Sequence, residues 1–335
     1  MSTYTNNSSA TSKLVYLEHA THPERDSHFS AVAASREFLK ASQKSFLVRC
    51  SQCHIGLEKP LKCAKCKSIW YCSKECQKKN WPTHKPACHE VERSSGPLKF
   101  IRMFVLNPVI MGFLKIGVAF DCGLLDDPRV GFDVPFVARV NIAIEPSDIL
   151  DFVGLYLNPN DKAVGEKQKL QGMVQVNAIS PFHPSIEVPY TPQQLYLWRE
   201  ARARCNAEGF AKDPVGLIDF VDGSAENPGH SLTAEVHIPT LILEAARKRE
   251  PIPCISAITG AETMKPMGTM TCLECINTHI RADKQNQLHL RTEMTEQDKE
   301  VIRAARRNED TLSARILREK MQRERIYADL VQFTD

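Results

Sequence analysis

Cys50-x2-Cys53-x9-Cys63-x2-Cys66-x5-Cys72-x3-Cys76-x7-His84-x3-Cys88 is the stretch whose reading decides how the first quarter of this chain folds, and it holds seven of the twelve cysteines. Seven thiols and one imidazole fall into four close pairs, the number of ligands that closes two tetrahedral zinc sites. A two-residue gap lets both thiolates of a knuckle face one ion. A three-residue gap sets Cys72 with Cys76, and His84 with Cys88, on one side of a helical turn. Spacing alone leaves open which pairs share an ion. Disulfides are the competing reading, and the pairing and the lack of a charged-then-apolar leader both argue against them.

Metal is needed because the segment has little else to fold around. Apart from cysteine, its apolar residues are Ile55, Leu57, Leu61, Ala64, Ile69, Trp70, Tyr71, Trp81 and Ala87. Pieces below about 40 residues seldom bury enough surface to fold alone, and ordering the backbone costs about 1–2 kcal/mol per residue. A structural zinc returns about 10–16 kcal/mol of apparent free energy in small fingers. With all eight ligands used, no position is left for water or substrate, so the two ions are expected to be structural.

These residues resemble the MYND zinc finger. The likeness rests on the ligand order, with Tyr71 just before Cys72, Gln77 just after Cys76 and Trp81 three residues before His84, and it covers Arg49–His89. It implies an interleaved arrangement, with Cys50, Cys53, Cys72 and Cys76 on one zinc and Cys63, Cys66, His84 and Cys88 on the other. His54 and His89 would then be solvated neighbours. The resemblance also implies a protein–protein interaction module that takes short proline-rich peptides in extended form, with Gln77 and Trp81 at the groove positions. An indole offers a flat apolar face, and a Gln amide can both donate to and accept from a peptide backbone. One departure stands out: Ala64 occupies a position where the family's groove can include a serine. By overall layout the chain also resembles uncharacterised fungal proteins with a MYND finger near the N-terminus.

Beyond the finger, 335 residues with 42% apolar content suffice for one further domain. A net charge of +3 is too near neutral to point to nucleic acid or a membrane. The longest apolar region, Phe100–Phe120, is broken by Arg102, Asn107, Pro108 and Lys115, short of a membrane span. Cysteine-rich composition without a leader predicts a reducing, intracellular setting.

The domain plan expected is a disordered stretch over 1–28, a leading helix over 29–48, the finger over 49–90 and an α+β domain over 98–335. Apolar helices are predicted to meet at Asn107-Pro108. Alternating runs at 139–144, 173–179 and 232–238 read as half-buried strands, with Gln175 and Asn177 on the outer face. Another strand is read at 215–221. Helices are expected over 192–207, 240–249, 269–281, 295–308 and 312–331, with a capping box at Thr295 and Asp298. The last two carry nine basic and nine acidic residues from Glu296 onward, which reads as a solvated outer face. The fold expected is therefore α+β: a small two-zinc finger followed by a larger mixed domain with a small, mostly antiparallel sheet and C-terminal helices.

Enzymatic signatures are missing. A lysine methyltransferase is the obvious alternative, because the family finger occurs inserted in split SET domains. Those domains resemble one another in a glycine-x-glycine turn and an Asn-His-x-Cys segment, and this sequence has neither. No P-loop, G-x-S-x-G or H-E-x-x-H is present either. Cys272, Cys275 and His279 share a helical face, but interspersed Leu273, Ile276 and Ile280 mark an ordinary core helix. The reading is a non-catalytic intracellular adaptor with no nucleic-acid partner.

Overall fold

A computed structural model describes residues 16–17, 25–33, 48–53, 55–57, 61–66, 69–85, 88, 97–160, 169–185, 189–222, 231–255, 262–327 and 330. Within residues 1–28, Tyr16–Leu17 (β1) pairs in parallel with Cys254 and Ile255. Arg25–Val32 is a helix (α1). Of the span expected to be a leading helix, 29–48, residues 29–32 are helical, Val48 is in a strand, and residues 34–47 lie outside the described residues. Phe29 seats α1 on the larger domain: its side chain is buried in the main core, with its ring 4.9 Å from that of His279.

The finger comprises two short hairpins, β2 (Val48–Arg49) with β3 (Gly56–Leu57) and β4 (Leu61–Lys62) with β5 (Trp70–Tyr71), then α2 (Lys74–His84). Helices α3 (Pro97–Leu106) and α4 (Pro108–Asp121) follow. Asn107 starts the second: its side chain accepts from the Val109 and Ile110 N–H groups, both at 3.0 Å, and Pro108 follows at a position that needs no N–H. No single helix among the described residues is long and apolar enough to cross a membrane. This pair matches in composition only as two helices bent by 86°, and Phe104, Ile110, Leu114 and Val118 lie in the protein's own core.

Five strands form the central sheet in the order β12-β7-β6-β8-β9: β6 (Val137–Pro146), β7 (Gln171–Pro181), β8 (Val215–Asp222), β9 (Ser231–His237) and β12 (Arg291–Glu293). Within it only β6 with β8 is parallel; the chain between them runs back through β7, and helix α6 (Pro192–Ala207) then carries it from β7 to β8. A smaller sheet places β10 (Ile252–Ile255) between β1 and β11 (Glu262–Lys265). The remaining helices are α5 (Ile149–Leu157), α7 (Thr240–Lys248), α8 (Thr269–Ala282), α9 (Glu296–Arg306) and α10 (Leu312–Arg323). The larger domain is α+β with a mostly antiparallel sheet and C-terminal helices. Thr295 and Asp298 form the capping box at the start of α9.

Two expectations are corrected by the packing. Gln175 and Asn177 do not face solvent. Val174, Gln175, Val176 and Asn177 are all buried, so helices cover both faces of β7. Where β12 ends, Asn277 of α8 stands in for a neighbouring strand: its Oδ1 accepts from the Val176 N–H at 2.7 Å and its Nδ2 donates to the Val176 carbonyl at 2.8 Å. Nor do all the charges of the C-terminal helices lie on their solvated outer face. Lys299, Arg303, Lys320 and Glu324 are buried. Lys320 Nζ meets Glu145 Oε1 at 2.5 Å, Tyr327 donates to the other Glu145 oxygen at 2.6 Å, and Arg281 pairs with Glu324 at 2.5 Å. In this cluster each buried charge faces an opposite one.

Candidate metal centre

Each hairpin presents a cysteine knuckle. After β2, the Cys50 N–H donates to the Ile55 carbonyl at 3.0 Å and the chain turns through Cys53. After β4, the Cys63 N–H donates to the Ile69 carbonyl at 2.9 Å and the chain turns through Cys66. The Ser51 N–H reaches the Trp70 carbonyl at 2.9 Å, tying the first knuckle to the second hairpin. Strand β5 therefore delivers Cys72 to the first knuckle. Ser73 then caps α2 by accepting from the Cys76 N–H at 3.2 Å.

Helix α2 carries ligand-type residues to both groups. Cys76, Asn80 and His84 recur every four residues and share its inner face. Tyr71 is fully buried between the groups and donates to Asn80 Oδ1 at 2.9 Å. Burial, then the neighbouring sulfurs of Cys63, Cys66, Cys88 and Cys50, push its phenol up to about 12, so it stays a neutral donor. Asn80 is absent from the candidates read in the sequence, although its position between Cys76 and His84 on the same helical face marks it as inward.

The donor atoms gather into two sets, Cys50, Cys53, Cys72 and Cys76 in one and Cys63, Cys66, His84 and Cys88 in the other, all within 4.8 Å of one another in each set. In the first, Cys53 Sγ and Cys76 Sγ lie 3.5 Å and 3.4 Å from Cys72 Sγ. In the second, Cys63 Sγ lies 3.7 Å from Cys88 Sγ, and His84 Nε2 lies 3.4 Å and 3.5 Å from the sulfurs of Cys63 and Cys66. A zinc tetrahedron with Zn–S of about 2.3 Å has edges of about 3.8 Å. A disulfide would need about 2.05 Å. The separations fit ligands around an ion.

Electrostatics point the same way. Burial raises the Cys50 thiol, but hydrogen bonds from the backbone of Cys53, Cys72 and Gln52 outweigh it and bring it down to about 6. The hydrogen bond with Cys76, then burial, holds Cys72 up at about 12. Four thiols this close oppose one another's ionisation, and a divalent cation at their centre removes that conflict. The set of four thiols and the set of three thiols with one imidazole could bind two zinc ions.

The other sequence candidates are placed as follows. Gln77 is half-buried, while Trp81 is 39% exposed, its ring edge-on to His84 at 5.7 Å. Trp70, at 7% exposure, is the buried indole of the finger. Ala64 is exposed. His54 and His89 lie outside the described residues. Cys272 and Cys275 are buried in the main core. Burial pushes Cys272 up to about 12, and it pulls His279 down to about 4. Among the described residues no third set of ligands gathers around them.

Comparison with known proteins divides the chain the same way. Residues 43–88 match the MYND finger, and residues 95–327, more than half of the chain, match a family described as "Domain of unknown function (DUF8205)". Histone-lysine N-methyltransferase SMYD3 of Homo sapiens is 49% identical over 41 residues, 12% of this chain and 10% of that protein. SET domain and MYND-type zinc finger protein 6 of Schizosaccharomyces pombe is 42% identical over 72 residues, 18% of this chain and 15% of that protein. Tudor domain-containing protein 1 of Mus musculus is 38% identical over 53 residues, 16% of this chain and 4% of that protein. The chain thus spans a small fraction of the length of the curated relatives it matches. No solved structure matches it.

Proposed function

The chain belongs to the DUF8205 family and carries a MYND finger ahead of that domain, and we propose that it is an intracellular, non-catalytic adaptor whose zinc-ordered finger captures proline-rich segments of a partner protein. Cys50, Cys53, Cys72 and Cys76 would hold one ion, and Cys63, Cys66, His84 and Cys88 the other. Bound zinc supplies folding energy and fixes α2 against the two knuckles.

One observation carries the reading. Trp81 is solvent-exposed on a finger that already has a buried indole in Trp70, so its ring is available as a platform for proline or leucine. Gln77, one helical turn earlier, flanks the same surface with an amide suited to an extended backbone. The test is peptide binding by the zinc-loaded full chain. Trp81→Ala is expected to weaken capture of a proline-rich peptide about tenfold or more while zinc content stays at two per chain. Unchanged affinity would remove Trp81 from the binding surface.

A second reading draws on the methyltransferase names among the relatives, whose likeness is confined to the finger. Transfer of a labelled methyl group to lysine by the purified chain would establish it in place of the adaptor.

A further inference from the structure

The outer face of α2 has a composition of its own. At 100° per residue, Lys74, Lys78, Trp81 and Lys85 fall within an arc of about 60°. Lys85 extends the face because it keeps helical dihedrals at the C-cap. All four side chains are exposed, on the side away from Cys76, Asn80 and His84. Among the described residues, none of these three lysines has a carboxylate within ion-pair distance. The larger domain differs: Lys265, Arg281, Lys299, Arg303, Arg307 and Lys320 all have acidic partners. Nearby Lys62, Lys65 and Lys79 are exposed as well, and Glu75 is the one acid of α2. Seven thiolates with two divalent ions would leave the metal sites net negative, but on the opposite side of the helix.

We propose that this Lys74–Lys78–Trp81–Lys85 face selects an acidic extended segment of a partner protein, with an apolar residue resting on Trp81 and carboxylates reaching the lysines on either side. This rests on the adaptor reading and adds the partner's chemistry. The face runs about 16 Å along the helix axis at 1.5 Å per residue, the span of about five residues of extended chain. Acidic residues are therefore expected about one and about three positions before, and about two positions after, the apolar anchor.

The experiment measures fluorescence anisotropy of three labelled probes with the zinc-loaded full chain. They are a Glu-Glu-Pro-Leu-Pro-Glu-Glu peptide, the same peptide with serine for every glutamate, and a short DNA duplex. Three exposed charge contacts predict about tenfold tighter binding of the acidic peptide over the serine peptide at low salt, and loss of that preference at high salt. The triple variant Lys74→Glu/Lys78→Glu/Lys85→Glu should abolish the preference yet still bind the serine peptide, with zinc content unchanged as the folding control. Equal affinity for both peptides in the wild type overturns acidic selection and leaves the adaptor reading standing. Failure of both peptides to bind overturns the two together. Tighter binding of the duplex than of the acidic peptide assigns the face to nucleic acid and overturns the inference.

Discussion

The finger and the larger domain both bury polar side chains, and they compensate for this in opposite ways. In the domain, Glu145, Lys320, Glu324, Arg281, Tyr327 and Asn277 satisfy one another inside a core that also holds Phe104, Leu114, Phe152, Ile218, Phe220 and Leu273. In the finger, the buried cluster is Cys50, Cys63, Cys66, Tyr71 and Cys88. A divalent cation at the centre of each set would reconcile its clustered ligands. The domain carries its compensation in its own sequence; the finger takes it from solution. The two should therefore respond to different perturbations.

Zinc removal makes the largest difference. A chelator should withdraw about 10–16 kcal/mol of apparent stabilisation per site from the finger and leave the domain folded. The Trp70 emission should shift toward that of a solvated indole, while Trp198, whose indole donates to the Val215 carbonyl at 2.8 Å in the domain, keeps its environment. Cys63→Ser should do the same to the finger without a chelator. A finger that kept its fluorescence and about two zinc per chain in that variant would break the contrast.

Lys320→Ala is the reciprocal cut. It strands Glu145 in the core and should cost about 3–5 kcal/mol in denaturant unfolding of the domain, with zinc content unaffected. Lys320→Met with Glu145→Gln should recover part of that loss, because the charge and its partner leave together while the glutamine still accepts from Tyr327. If the single variant were as stable as wild type, the ion pair would not hold the C-terminal helix to the sheet.

Acid makes the smallest difference. His279 is held down to about 4 by burial, below its ordinary value of 6.5. The unfolded chain therefore binds a proton between those values while the folded chain does not, so stability falls as pH drops through that window. The loss should be about 2 kcal/mol by about pH 5. His279→Leu should flatten this part of the stability profile, measured as the denaturant midpoint at several pH values. An unchanged slope in the variant would assign the acid sensitivity to other groups.

Much of the architecture was legible because it is written in short-range chemistry. Asn107-Pro108 marks a helix boundary by its own capping bonds, Thr295 and Asp298 cap α9 reciprocally, and β6, β7 and β9 announce themselves by alternation. Helix α5 and the short strands β1, β10, β11 and β12 carried no comparable signal. Strands of two to four residues are too short for a period of two to stand out, and β1 forms only because Cys254 and Ile255 lie beside it. In the finger, the spacing gave the ligand types and their pairs. The resemblance singled out Trp81 over Trp70, but only packing shows that Trp81 is the indole outside.

The order of sulfurs and imidazole along the chain, the knuckle spacing and the helix caps are properties of the sequence alone, since each depends on residues a few positions apart. Burial is decided elsewhere. Gln175, Asn177 and Lys320 lie inside because elements far away in the chain close over them, and Glu145 is 175 residues from the lysine that neutralises it. A polar residue pays no desolvation until the fold brings its cover and its partner together, and only the tertiary structure holds both.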